Sequence, residues 1–331
     1  MLKKRILALV KFLIFLGLGI FIVWWMARGI DEKGWNQIEL SLRKARFLLI
    51  VPVFLLLIIS HYFRALRWKM LMDPLGYQPS TFNVFNAVMI GYMANLAFPR
   101  LGEVLKCTLL ARYEKTSPDR LVGTIVAERA IDLICLLIVF FLTVIVQMDI
   151  VGEYALKIVQ QFSGNTQGNA PIIIFIFLLF AVFIWLLAKW IKRQQNHKGL
   201  QKVSNIMKGI WMGLVSIRYV KNKALFITYS LLIWSLYYLG TRIGFYAMAE
   251  VEHLGLREAL SILSFGSVGM IVTQGGLGAY QYAVQETLFL YNIDKVIGFT
   301  YGWVLWIAQT AVILLGGLFS LMVLPIYNRK K

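Results

Sequence analysis

Long apolar runs recur along the chain, and short polar breaks of uneven charge separate them. The runs at about 6–26, 47–62, 121–146, 170–190, 224–248 and 298–325 each read as a helix meant for the bilayer, where a crossing takes about 20 apolar residues. The second is short, and Pro52 is expected to bend it. Two other apolar stretches are each interrupted. Residues 82–113 break at Phe98-Pro99-Arg100-Leu101-Gly102, and residues 259–291 break at Gln274-Gly275-Gly276-Leu277-Gly278.

Charge fixes the direction of each run. Lys3, Lys4 and Arg5 precede the first span and place the N-terminus on the cytoplasmic side, and the apolar run after them is too long for a cleaved signal peptide. The segment 191–223 carries Lys192, Arg193, Lys198, Lys202, Lys208, Arg218, Lys221 and Lys223 and no acid, which makes it a cytoplasmic loop. Residues 147–170 and the Glu250, Glu252 and Glu258 segment are external by the same reasoning. Residues 27–46 are external too, and Trp35, Ile38 and Leu42 on one helical face predict a helix lying on the surface.

With these anchors, 82–113 begins and ends on the cytoplasmic side and 259–291 begins and ends outside. Two full crossings through a broken tip would also satisfy the parity of the first stretch, but its arms are short. The expected fold is therefore an all-α polytopic membrane protein. It has six full spans and two re-entrant helical hairpins (82–113 and 259–291), arranged as an inverted-topology repeat of 1–146 and 170–331 within one membrane domain. Interrupted short segments at matching places in two halves point to a transporter site.

Composition agrees with a membrane chain: 331 residues, 59% hydrophobic and 15% charged, with a mean hydropathy of +0.71. The net charge of +18 then speaks for anionic lipid contact rather than nucleic acid. Cys107 and Cys135 form no disulfide or metal pattern, His61, His197 and His253 are scattered, and no nucleotide-binding Gly-rich loop is present. No catalytic residue, metal or cofactor is expected.

The candidate chemistry sits at the breaks and in one span. Around the first break, Arg100 and Lys106 suit a phosphate-bearing headgroup alongside the free backbone N–H groups of the arm beginning near Leu101. Asn95 lies on the arm before it, and Glu103 balances the cations or receives a cationic group. Glu128, Arg129 and Asp132 fall about 10–17 Å into the third span. Arg129 and Asp132 are spaced to pair, so the cluster reads equally as a structural network or as part of a site.

Arg64 and Arg67 end the second span, where positive-inside bias explains them and a grip on lipid phosphate is the other reading. Arg242 is placed to reach the interface or to pair with Glu286 on the second hairpin. There Gly275, Gly276 and Gly278 allow close approach, flanked by Gln274 and followed by Gln281.

Asn95 with Pro99-Arg100-Leu101-Gly102-Glu103 and Lys106, then Glu128-Arg129-x-x-Asp132, then Gly275-Gly276-Leu277-Gly278 resemble, in order and spacing, the family named for the transmembrane region of lysylphosphatidylglycerol synthase, the flippase-like domain proteins. The resemblance spans essentially the whole chain. It departs after the Gly-rich turn, where the family often has an acid and this chain has Gln281, with Glu286 further on.

The resemblance implies an inner-membrane protein with cytoplasmic termini that moves a lipid between leaflets, without the aminoacylating domain that some members carry. Lipids with anionic headgroups are the expected partners. A homodimer and a separate lipid-modifying enzyme are left open. Two other functions remain in view. One is a membrane-embedded enzyme or accessory subunit acting on a lipid-linked substrate, with Glu103, Glu128 and Asp132 as its acid/base candidates; the other is a secondary transporter of a small solute. Under the lipid reading, Arg100→Ala and Glu128→Ala are expected to leave a folded protein that no longer translocates.

Overall fold

The computed structural model describes residues 2–98, 101–148 and 218–329, with side chains from Phe12 onward. Among them the regular structure is all helical. The elements are α1 (Leu2–Arg28), α2 (Glu32–Lys44), α3 (Ile50–Met72), α4 (Thr81–Ala97), α5 (Leu101–Glu114), α6 (Pro118–Val146), α7 (Lys223–Gly244), α8 (Leu256–Val272), α9 (Ala279–Leu290) and α10 (Lys295–Asn328). Among the described residues, four helical segments are each long and apolar enough to cross a membrane: Phe47–Leu75, Pro118–Val146, Lys223–Ala247 and Lys295–Asn328. The expected span 170–190 and most of the segments 147–170 and 191–223 lie outside the described residues.

These four segments have their ends gathered in two sets. In one set the amides of Asn83 and Asn328 bond each other, each donating at 2.9 Å. There too Lys69 donates to Thr81, and Ser117 N–H donates to the Tyr77 hydroxyl. In the other set Ser41 donates to Glu250 at 2.6 Å, Arg46 pairs with Glu252 at 3.0 Å and Gln147 donates to the Arg257 carbonyl at 2.9 Å. Helix α2, capped by Asp31 accepting from Gly34 N–H at 2.8 Å, turns 107° from the Phe12–Arg28 part of α1 and lies at the Glu250 end.

The second span differs from expectation. Pro52 falls in the first turn of α3, where a missing N–H costs nothing, and the helix runs on unbroken to Met72. Arg64 and Arg67 therefore lie within the helix, 7% and 0% exposed, and not at its end.

Between the long helices sit two antiparallel pairs. Helices α4 and α5 are joined at their open end by Asn83 donating to Glu114, and at mid-length Gly91 packs on Gly102 and Lys106. Helices α8 and α9 close their open end with the Ser261–Tyr291 hydroxyl pair at 2.7 Å, and Gly266 and Gly269 pack on Tyr280. Lipid tails are as apolar as leucine, so helices in a bilayer gain mainly by close approach over small residues. A Cβ at Gly102 would sit 2.6 Å from the Gly91 carbonyl carbon and 2.8 Å from the Asn95 amide carbon. Gly102→Val is expected to pry α4 from α5 and lower unfolding stability in detergent by about 1–3 kcal/mol.

Two apolar clusters flank the middle of the molecule. Trp68, Met72, Leu110, Leu121 and Phe226 build the one around α4 and α5, and Phe245, Ile262, Val284, Tyr301 and Leu305 build the one around α8 and α9. Where the two pairs point at each other, their tips touch: the Gln274 side chain donates to the Asn95 carbonyl at 2.5 Å and to the Leu96 carbonyl at 3.2 Å. The last carbonyls of a helix have no partner within it, and Gln274 supplies one from the opposite pair. Trp306 Nε1 holds the same turn by donating to the Gly275 carbonyl at 2.8 Å.

Candidate functional site

A cavity of about 640 Å³ opens beside the touching tips, lined from α3 to α10 and the glycine turn. One wall is charged, formed by Arg64, Glu103, Arg129 and Asp132 with Tyr92 and Asn95. The wall from Leu133, Leu136, Ile262, Leu263 and Ile271 is apolar. Polar and apolar surfaces thus share one chamber, which suits a ligand with both characters.

Helical spacing builds the charged wall. Glu128 and Asp132 stand four apart on one face of α6, and Arg64 and Arg67 stand three apart on α3. Asp132 accepts from Arg64 through one carboxylate oxygen and from Arg67 through the other. Arg67 also donates to Ser230 at 3.3 Å, and Arg64 reaches Tyr237 at 3.4 Å and Glu128 at 3.6 Å.

Glu128, fully buried, takes Lys106 Nζ at 2.7 Å. That ammonium lies 4.4 Å over the Trp68 ring, whose Nε1 is held by Thr124 at 2.8 Å. A lone charge at membrane depth costs at least about 2.5–3.5 kcal/mol, so mutual pairing is what lets these groups sit there.

Arg129 is different. Its Nε donates to Glu103 at 3.0 Å, and among the described residues its two terminal nitrogens make no hydrogen bond to protein. Its side chain stays 43% exposed. The local pairing of Arg129 with Asp132 does not form, because Asp132 faces the two arginines of α3 and Arg129 turns toward Glu103 on α5. Four cations (Arg64, Arg67, Lys106, Arg129) meet three carboxylates (Glu103, Glu128, Asp132), so the described cluster carries one surplus positive charge.

Several expected roles change. Lys106 and Arg67 are buried behind the cavity as partners of Glu128 and Asp132, with no side chain free for a headgroup. The N-terminal backbone groups of α5 are partly taken: Gly102 N–H donates to Asn95 Oδ1 at 2.8 Å, and Leu101 N–H donates to the Phe98 carbonyl at 3.3 Å. Asn95 is thus a cap as well as a wall residue, and Arg100 lies outside the described residues.

The glycine turn has the expected left-handed backbone, with φ of 61° at Gly275, 76° at Gly276 and 79° at Gly278. Only Gln274 and Gly275 of that turn reach the cavity, followed on α9 by Tyr280. Gln281 is buried and caps α9, its side-chain oxygen accepting from Gly278 N–H at 2.8 Å. Arg242 does not pair with Glu286: Arg242 donates to the Tyr246 hydroxyl at 3.0 Å, and Glu286 pairs with Lys295 at 3.0 Å outside the cavity.

The structure adds residues the sequence reading passed over. His61 is buried inside α3 with its ring 5.0 Å from that of Tyr92. Trp234, Tyr237 and Thr241 line the cavity from one face of α7, and Tyr280 and Gln309 line it joined at 3.1 Å. A recurring polar or aromatic position every three to four residues within an apolar span was the available signal for the α7 face.

The family model described as "Lysylphosphatidylglycerol synthase TM region" matches residues 8–326. Comparison with the curated proteins and with the solved structures gives no match.

Proposed function

The chain belongs to the lysylphosphatidylglycerol synthase TM region family, and from that premise we propose that it is a lipid translocator. It carries a lipid with an anionic, phosphate-bearing headgroup between the leaflets of an inner membrane. The observation that carries the reading is the guanidinium fork of Arg129, open among the described residues, in a cavity with a charged wall and an apolar wall. A fork with free N–H donors matches phosphate oxygens in pairs. The surplus positive charge of the cluster favours one incoming anion, while the apolar wall accepts the start of the tails.

On this reading α4–α5 and α8–α9 are re-entrant hairpins, entering from opposite sides and meeting at Gln274. The two halves form an inverted repeat around the cavity, with six spans in all and both termini in the cytoplasm. Supporting it are arms of 12 to 17 residues, too short for comfortable crossings, and open ends that lie in the two opposite end sets. Alternating access then consists of moving one half against the other across the tip contact. On this reading the protein does no covalent chemistry: Glu128 and Asp132 are tied up in buried ion pairs, and Glu103, the more open carboxylate of the described cluster, is paired with Arg129.

The test is reconstitution of the purified chain into vesicles with headgroup-labelled lipid in one leaflet. Labelled phosphatidylglycerol is expected to move between leaflets well above the protein-free rate, and labelled phosphatidylcholine far less. Equal movement of both lipids, or of neither, would rule the reading out. Substrate-linked movement of a small ion without lipid movement would favour the solute transporter instead.

A further inference from the structure

We infer that Glu103 is a built-in competitor for the substrate's anionic group: the carboxylate occupies Arg129 when the cavity is empty and is displaced when a headgroup binds. This rests on the reading of the cavity as the headgroup site. Among the ion pairs of the charged cluster, the Arg129–Glu103 pair alone has both side chains well open, at 43% and 30%, whereas Arg64, Arg67, Lys106 and Glu128 are each under 10% exposed. Both residues line the cavity.

The pair is held by one contact, Nε to Oε1 at 3.0 Å, so an anion docking on the terminal nitrogens meets a carboxylate on the same guanidinium. Like charges there repel, and the exposed pair is weak enough to open. The displaced carboxylate has room in the cavity, and one monoanion brings the described cluster from one surplus positive charge to neutrality.

Release is the functional gain. A site that held the headgroup with an uncontested arginine would bind tightly and turn over slowly, because translocation needs the lipid to leave on the far side. Glu103 returning to Arg129 offsets the loss of the headgroup at the moment of departure. Since Glu103 is on α5 and Arg129 on α6, opening the pair also loosens the first antiparallel pair from the span beside it, coupling occupancy to movement of α5.

The experiment measures equilibrium binding and release of phosphatidylglycerol bearing a fluorescent acyl chain, in phosphatidylcholine nanodiscs containing the full chain. Glu103→Gln is expected to half-saturate at up to about fivefold lower mole fraction, the reach of an exposed ion pair. It should also release the lipid correspondingly more slowly and show reduced translocation. Glu103→Ala should change binding in the same direction, and a fluorescent phosphatidylcholine should bind both variants as it binds wild type. The double variant Glu103→Gln/Arg129→Gln should bind like Arg129→Gln alone.

If Arg129→Gln has lost binding but Glu103→Gln binds no tighter than wild type, Glu103 is no competitor and the inference fails while the site stands. If Arg129→Gln binds as wild type does, the headgroup site itself is misplaced and the inference falls with it.

Discussion

Arg129→Gln is expected to abolish most of the proposed translocation of an anionic lipid and to leave the protein folded. A charge-assisted hydrogen bond to a phosphate contributes about 1.5–3 kcal/mol, so losing the fork should cut the rate about tenfold to a hundredfold. The partner left behind is Glu103, 30% exposed and able to stay hydrated in the cavity. An open ion pair of this kind is worth at most about 1 kcal/mol to stability. Unfolding in detergent should therefore change little, and the variant should purify like wild type. Arg129→Lys keeps the charge but not the planar pair of donors, and an intermediate rate is expected from it. A full rate in Arg129→Gln would remove the guanidinium from the mechanism.

Asp132→Asn is expected to give the opposite profile, a loss of folded protein before any question of transport. Its two oxygens hold Arg64 and Arg67, and both arginines are buried. Removing one partner of a buried pair leaves an uncompensated charge, which costs about 3–5 kcal/mol. The neutral amide also turns one N–H donor toward an arginine that is itself only a donor. Glu128→Ala belongs to the same class, since Glu128 is fully buried on Lys106 and near Arg64. For Glu128→Ala, loss of folded protein is therefore the expected result, in place of a folded, inactive variant.

The role of Asp132 is further marked by non-additivity. Asp132→Asn combined with Arg67→Met should lose less stability than the sum of the two single changes, because the second removes a charge that the first strands. Simple additivity in denaturant unfolding would show that the pair is not energetically linked.

Several features could be read before the structure, and each rested on a periodicity or a charge count. The polar breaks around Tyr77 and Ser117 lie in one end set and those around Glu250, Glu252 and Gln147 in the other, because the long apolar runs between them reach from one set to the other. The broken apolar stretches gave the two antiparallel pairs, and three glycines gave the left-handed turn at Gly275, Gly276 and Gly278.

What could not be read is which tertiary partner each charge takes. Arg64 and Arg67 follow the apolar run 47–62 and look like its cytoplasmic end, yet α3 continues ten residues past Tyr62 because Asp132 waits on α6 to receive them. Lys106 looked available for phosphate, but Glu128 and the Trp68 ring enclose it. Arg129 and Asp132 have the spacing of a local pair, and facing helices outbid that spacing. Gln274 bonding to the carbonyls of Asn95 and Leu96 joins residues about 180 positions apart, beyond any local pattern.

The most direct measurement is photocrosslinking of the full chain in nanodiscs with phosphatidylglycerol bearing a diazirine on its headgroup, followed by mapping of the labelled peptides. Label is predicted on the peptides of α6 around Arg129 and of α7 around Thr241. It should fall with excess unlabelled phosphatidylglycerol and be lost in Arg129→Gln. Label confined to the outward surfaces of α1 and α10, unchanged by competitor and by Arg129→Gln, would contradict a headgroup site in the cavity.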